Sequence, residues 1–186
     1  MSEVKRSKIG LSTMYGVGLV RKGPGTAGSA VAAILAWMIL MLPHGWGWLA
    51  LGTVLFTILG TFSATRYMIT HNTAHDPSEI IIDELAGQWL TYLIWFGMIA
   101  GASLPQQVTL AQLEVEISPG FMLLGFALFR LFDILKPWPI SWADRKIGGG
   151  WGVMFDDLLA AIPAGIFLYA LYVVSPLVLG TTESIP

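Results

Sequence analysis

The sequence predicts an all-α integral membrane protein, built as one helical bundle with four to five transmembrane helices. Three observations predict this fold class. Hydrophobic residues make up 55% of the 186-residue chain, and charged residues only 12%, whereas soluble domains carry about 25% charged residues. The uncharged stretches 29–65 and 85–113 are long enough to cross a bilayer, since one crossing takes about 20 residues. The cations, finally, distribute asymmetrically between the predicted loops.

Five helices follow from these apolar stretches. The stretch 29–65 predicts two helices, because the Pro- and Gly-containing segment 42–48 interrupts it. A third helix is predicted from Leu85 to about Gly101, and the polar segment after it predicts a loop or an interfacial region. A fourth helix is predicted over Pro119–Leu135 and a fifth over Leu158–Leu179. The first and fourth are short for a complete crossing.

The positive charges predict the orientation of this bundle. If five helices cross the membrane with the N-terminus in the cytoplasm, all ten lysines and arginines fall on the cytoplasmic side, as cytoplasmic loops favour. The predicted division is a cytoplasmic segment over 1–22, a helical core over 23–179 and a tail over 180–186, together forming one domain. The ten cations are Lys5, Arg6, Lys8, Arg21, Lys22, Arg66, Arg130, Lys136, Arg145 and Lys146.

Several classes of protein are excluded or disfavoured. The absence of cysteine excludes disulfides, thiolate metal sites and thiol phosphatases. A net charge of −2 without a basic stripe argues against nucleic-acid binding. The charged N-terminus lacks the apolar run of a cleavable signal peptide. The His75-Asp76 pair lacks the further ligands that HD-type metal phosphohydrolases need.

Acidic residues gather on the same predicted side as the cations. Charged loops are common, but five carboxylates lie against predicted helices, where like charges repel unless a cation neutralises them. Carboxylate oxygens suit Mg²⁺, which usually binds one or two carboxylates together with water and substrate phosphate. The predicted pool of metal ligands is Asp83, Glu84, Asp133, Asp156 and Asp157.

Two basic residues accompany one of these carboxylates. Arg130, Asp133 and Lys136 recur every three residues and therefore project from one helical face. They could form a salt-bridge ladder at a helix end, or a metal ligand flanked by two phosphate-binding cations. Gly87, four residues after Asp83, would let another helix approach the acid pair closely.

A glycine-rich segment, 21–29, precedes the first predicted helix. No strand precedes its glycines, so it is not a dinucleotide-binding fingerprint. The backbone N–H groups of such a turn can still bind a phosphate at the positive end of the helix dipole. The predicted phosphate-binding residues here are Gly25, Thr26 and Ser29, although Thr26 or Ser29 could instead cap the helix.

Four motifs in sequence order carry a resemblance to a known family. GPGTAGS, HDPSEIIIDELAG, FRLFDILKPWPI and DRKIGGGWGVMFDDLLA extend from about Gly23 to Gly165. Together they resemble phosphatidylglycerophosphatase A, a family of the bacterial inner (cytoplasmic) membrane. The resemblance implies Mg²⁺-dependent removal of the terminal phosphate from phosphatidylglycerophosphate, giving phosphatidylglycerol. Gly148 stands where members often have histidine.

The site residues follow from these motifs and from the chemistry. The resemblance places its acid pair on Asp83 and Glu84 and its paired aspartates on Asp156 and Asp157. Either Glu84 or Asp156 is expected to deprotonate the attacking water. The groups expected to hold the phosphate are Gly25, Thr26, Ser29, Arg130, Lys136 and Arg145.

The predicted function is a Mg²⁺-dependent lipid phosphate monoesterase that takes its phospholipid substrate from the cytoplasmic leaflet. The alternative is a small cation channel or transporter subunit, which should place carboxylates through the bilayer instead of on one side. A lipid kinase is a third reading, disfavoured because the chain has no P-loop. The sequence leaves the oligomeric state and the number of metal ions open.

Overall fold

The computed structural model describes residues 10–73, 77–102 and 118–179, with side chains up to residue 175. A short 3₁₀ helix, Met14–Leu19, precedes the bundle. Every regular element within the described ranges is helical, which confirms the predicted all-α fold class. The predictions for 1–9, for the His75-Asp76 pair, for 103–117 and for the tail lie outside these ranges. The helices are α1 (Pro24–Leu40), α2 (Gly45–His71), α3 (Ile82–Ala102), α4 (Pro119–Leu135), α5 (Ile140–Lys146) and α6 (Gly149–Leu179).

The first four predicted helices are present, and the break between the first two is a tight turn. His44 adopts a left-handed conformation (φ 59°) immediately before α2. The bounds of α4 agree with the prediction, because Pro119 occupies its first turn and the Ser118 hydroxyl accepts a hydrogen bond from the Phe121 amide. Local signals of this kind can be read directly from the sequence.

The predicted start of the last helix was wrong. The helix begins at Gly149, nine residues before Leu158. Glycines 148–150 suggest a loop, but Gly150 packs so closely on α2 that a Cβ would overlap Thr61 and Thr65. Helix packing therefore overrides the poor helix propensity of glycine. The short helix α5 was not predicted.

Among the described residues, three helices are long and apolar enough to cross a membrane: α2, α3 and the 149–175 part of α6. Helix α1 is also apolar, but shorter. With 17 residues each, α1 and α4 measure about 25 Å, less than the roughly 30 Å of a bilayer core. The sequence-based expectation that these two are short is thereby confirmed.

Helix α3 is the centre of the bundle and packs against α1, α2, α4 and α6. The Trp89 indole donates to the Ala32 carbonyl of α1 at 2.8 Å, and the Tyr92 hydroxyl donates to the Met122 carbonyl of α4 at 2.7 Å. Gly87 lies where a Cβ would meet the Phe129 ring at 2.7 Å and the Asp157 carbonyl at 3.0 Å. This confirms that Gly87 permits a close helix approach beside the acid pair.

Successive long helices run in alternate directions, so one end of the bundle gathers the starts of α1, α3 and α6 and the ends of α2 and α4. We call this the charged end, because every lysine and arginine within the described residues lies on it or next to it. These residues are Arg21, Lys22, Arg66, Arg130, Lys136, Arg145 and Lys146.

Candidate active site

Glu84, in the first turn of α3, is the point on which three helices converge. The Ser29 hydroxyl of α1 lies 2.6 Å from its Oε2, and Arg130 Nη1 of α4 donates to the same oxygen at 2.5 Å. The same guanidinium nitrogen lies 2.7 Å from the Asp133 carboxylate. Gly25 packs against the Glu84 carboxylate so closely that a Cβ would overlap it. Glu84 is therefore fixed by an ion pair, a hydrogen bond and direct backbone packing.

Lys136 is the centre of a second charged cluster; the first cluster consists of Glu84, Ser29, Arg130, Asp133 and Gly25. Lys136 follows the last residue of α4 in a left-handed conformation (φ 40°), which turns it away from the helix axis. Its ammonium donates to Asp144 of α5 and to Asp156 of α6, both at 2.5 Å. The salt-bridge ladder considered above is therefore only partly present: Arg130 pairs with Asp133, while Lys136 pairs with carboxylates elsewhere.

The environment of Lys136 keeps it charged. Partial burial lowers the pKa of its ammonium, but the hydrogen bonds to Asp144 and Asp156 and the attraction of both carboxylates outweigh burial, and the net pKa is raised. Lys136 is thus a permanent positive charge at neutral pH.

The predicted acidic pool lies together at the charged end. All five side chains are buried, with 3% to 9% of their surface exposed. Asp157 lies within electrostatic range of the other four. Asp156 Oδ1 and Asp157 Oδ2 are buried without a hydrogen-bond partner among the described residues. Five carboxylates against Arg130 and Lys136 leave an excess of negative charge that favours a bound cation.

The fit of a metal ion depends on these donors. Within the described part of the chain, no three His, Asp or Glu side chains are already arranged around a common metal position. Mg²⁺ does not require such a cage, because it commonly keeps several waters and takes one or two carboxylates plus phosphate oxygens. The partnerless oxygens of Asp156 and Asp157 suit that role, whereas Arg130 already occupies Glu84 and Asp133. The residues therefore fit Mg²⁺, and its presence remains a prediction.

The predicted phosphate-binding residues divide into two groups. Gly25, Ser29, Arg130 and Lys136 lie within the clusters described above, whereas Thr26 is exposed in the first turn of α1. No side chain caps α1: its N-cap is Gly23 (φ 62°), so the capping alternative for Thr26 or Ser29 is not observed. The amides of Gly25 and Thr26 lie in the first turn and have no acceptor within the helix.

Arg145, like Thr26, is a predicted phosphate-binding residue that the structure leaves outside both clusters. It is exposed at the end of α5 and forms no ion pair with any described residue. The opposite case is Asp144, one residue earlier, which binds Lys136 although the sequence analysis gave it no role. No motif signals this contact, because it arises when the turn after α4 folds α5 back against α6.

Fold and site together define a helical membrane protein with a buried cluster of carboxylates and cations at one end, as an enzyme acting on a charged lipid headgroup requires. The chain matches the Phosphatidylglycerophosphatase A family model over residues 10–172 and belongs to that family. No solved structure matches the chain.

Individual relatives cover most of the sequence. The chain is 35% identical to phosphatidylglycerophosphatase A of Haemophilus influenzae over 167 residues, covering 87% of this chain and 86% of the relative. It is 31% identical to the Escherichia coli protein of the same name over 164 residues, covering 86% and 80%. It is also 32% identical to a Bacteroides thetaiotaomicron protein provisionally named a phosphatidylinositol-3-phosphatase, covering 91% and 94%.

These comparisons confirm the predicted family and enzyme class. The chain is a phosphatase, a phosphoric monoester hydrolase of phospholipid metabolism. Family membership thus favours the enzyme over the channel and kinase alternatives.

Proposed function

We propose that this chain hydrolyses the terminal phosphate of phosphatidylglycerophosphate, giving phosphatidylglycerol, in a Mg²⁺-dependent reaction at the cytoplasmic face of the inner membrane. The observation that carries the proposal is the charged end, where five buried acidic side chains lie together and three of them form ion pairs with Arg130 or Lys136. Cations are needed to bind a phosphate dianion, and carboxylates are needed to bind a divalent metal.

The choice of substrate is supported by the family and by two relatives named phosphatidylglycerophosphatase A. The name of the Bacteroides relative describes another phosphorylated lipid. All three names describe a phosphate monoester carried by a membrane lipid. That substrate class agrees with a charged site at the end of apolar helices.

Asp157 is the carboxylate best placed to hold Mg²⁺, because its Oδ2 is buried without a partner among the described residues, and Asp83 is a further candidate from the pool. When bound, the ion would neutralise phosphate charge and lower the pKa of a bound water. The excess of buried negative charge at this end supports the assignment.

Protein side chains take the role of the base that activates the attacking water. Asp156 Oδ1 is buried without a partner and can accept the proton of the attacking water, whereas Arg130 and Ser29 already occupy Glu84. We therefore prefer Asp156 over Glu84 as the base. As the water oxygen bonds to phosphorus, the bond from phosphorus to the glycerol oxygen breaks, and that oxygen takes up a proton.

Phosphate binding falls to the cations and to the start of α1. Arg130 and Lys136 offset the charge on the phosphate oxygens, and Lys136 stays protonated because its pKa is raised. The amides of Gly25 and Thr26 add donors at the positive end of the helix. In this scheme Glu84 holds Arg130 in position.

The orientation is supported by the charge asymmetry of the bundle. Lysines and arginines within the described ranges concentrate at the charged end, and cytoplasmic segments of membrane proteins are enriched in these residues. We therefore assign the charged end, with the active site, to the cytoplasmic side.

The test is phosphate release from phosphatidylglycerophosphate in detergent micelles, with Mg²⁺ or with a chelator. Wild type is compared with Asp157→Asn and with Glu79→Gln, a control in the loop before α3. We expect Mg²⁺-dependent release, a loss of about 100-fold or more in Asp157→Asn, and little change in the control. Absence of release from folded wild type with Mg²⁺ would refute the proposed substrate.

A further inference from the structure

An apolar groove lies between α1 and α4 at the surface of the bundle. It has a volume of about 280 Å³ and extends from Ala30 and Phe126 at one end to Trp37 and Pro119 at the other. All its lining residues are apolar. We call it the α1–α4 groove.

One end of this groove reaches the candidate active site along both walls. Ala30 directly follows Ser29, whose hydroxyl lies 2.6 Å from Glu84. Phe126 lies about one helical turn before Arg130, whose guanidinium lies 2.5 Å from the same carboxylate. The groove and the charged cluster are therefore adjacent parts of one surface.

The shape of the groove suits a narrow, extended ligand. The seven-residue separation from Ala30 to Trp37 corresponds to about 10 Å along the helix. Ala30 and Ala33 leave room on the α1 wall, while the exposed side chains of Ile34 and Leu123 flank the opening. The recess thus runs parallel to the helices, away from the charged end.

We propose that the α1–α4 groove binds an acyl chain of the phospholipid substrate and so aligns its phosphate with the charged end. The proposal rests on the proposed function, because only a lipid phosphate places a hydrocarbon chain below the reacting group. A chain that leaves a phosphate near Arg130 and follows the helices enters the groove at Phe126. The exposed apolar face of α2, between Leu51 and Phe62, offers no such continuity because α2 contributes no residue to the two charged clusters.

A substitution that fills the groove tests this proposal. Ala33→Phe should raise the KM for long-chain phosphatidylglycerophosphate about tenfold, while kcat/KM for a short-chain, water-soluble analogue stays within about twofold. Leu35→Phe is the matched control, since Leu35 is exposed on the same helix but does not line the groove. It should leave the KM values for both substrates unchanged.

The outcomes distinguish a failure of the groove proposal from a failure of the proposed function. Unchanged KM for the long-chain lipid in Ala33→Phe would overturn the groove, and so would an equal loss on both substrates in a folded variant. If wild type hydrolyses neither substrate in the presence of Mg²⁺, the proposed function itself fails.

A second measurement uses the unmodified protein. Phosphatidylglycerophosphate with a photoreactive diazirine in one acyl chain should form adducts mainly within 30–37 and 119–126. Adducts spread evenly over the lipid-facing side of α2 would show bulk-lipid contact only and overturn the proposal. Cross-linking of two copies of the chain through the groove would identify it as a self-association surface and would also overturn the proposal.

Discussion

The clearest functional constraint on a single residue is at Gly25. Its backbone lies against the carboxylate of Glu84, and any Cβ would overlap that group. The amide of the same glycine lies in the first turn of α1, where it has no acceptor within the helix and no side chain caps it. One hydrogen atom in place of a side chain thus allows both the position of Glu84 and the approach of a phosphate.

Gly25→Ala is expected to impair catalysis more than folding. The added methyl group must displace Glu84 and with it Arg130, so kcat/KM should fall about tenfold or more. Gly120→Ala is a matched control, because Gly120 also follows a proline at a helix start but has open space around it. Phosphate release and thermal unfolding of both variants provide the measurement, and equal activities would contradict this packing.

Lys136 gives a prediction about pH. Its folded pKa is raised, so its contribution to stability is complete below the ordinary lysine pKa of about 10.4 and is lost only as the pH rises through the folded value. The difference in Tm between wild type and Lys136→Met should therefore be constant from about pH 7 to pH 9 and shrink above about pH 10.5. Lys146→Met, at an exposed lysine, serves as the control; a difference that already shrinks between about pH 7 and pH 9 would refute the assignment.

Among the helices, α3 has the greatest structural importance. Half of the residues in its most apolar 18-residue stretch are buried, whereas the buried share of the corresponding stretch is 22% in α2 and 28% in α6. Its first turn carries Asp83 and Glu84, and its Gly87 receives Phe129 of α4 and the backbone of α6. The central helix therefore brings the acid pair to the elements that carry Arg130 and Asp157.

Gly87→Ala should destabilise the bundle. A Cβ would lie 2.7 Å from the Phe129 ring and 3.0 Å from the Asp157 carbonyl, so overpacking should cost about 1–3 kcal/mol. Gly97→Ala on the same helix meets nothing within 4 Å and should be neutral or slightly stabilising, because alanine favours helix. Thermal unfolding in detergent compares them, and equal Tm values would show that α4 and α6 can move apart without cost.

For the molecule as a whole, the charged end and the alternating directions of the bundle helices determine its placement in the membrane. Because the long helices alternate in direction, α6 leaves the charged end and finishes at the opposite face. In the orientation that we propose from the charge asymmetry, the charged end faces the cytoplasm. The proposed steps of phosphate binding and water activation would then take place at one surface of the bilayer.

This orientation predicts the behaviour of reporter fusions. A reporter that is active only after export should be active when it is fused to the C-terminus. A reporter that is active only in the cytoplasm should be active when it is fused before α1. Opposite results for the two fusions on the same chain would invert the assigned orientation. Equal locations for both ends would mean that an even number of helices crosses the membrane.

Much of this architecture could be predicted because its signals are local. The length of apolar runs sets the membrane class, the Pro and Gly of 42–48 set the first break, and Ser118 with Pro119 sets the start of α4. The beginning of α6 could not be predicted, since its glycines are helical only because α2 packs against Gly150.

The sequence by itself determined the membrane class, the family and the pool of acidic residues, because these depend on composition and on motifs within short segments. Only the tertiary structure decided which charges meet: Glu84 with Arg130, and Lys136 with Asp144 and Asp156. It also left Arg145 outside both clusters. The physical reason is distance along the chain, since Glu84 meets partners 46 and 55 residues away, and contacts between such distant residues exist only after the helices have packed.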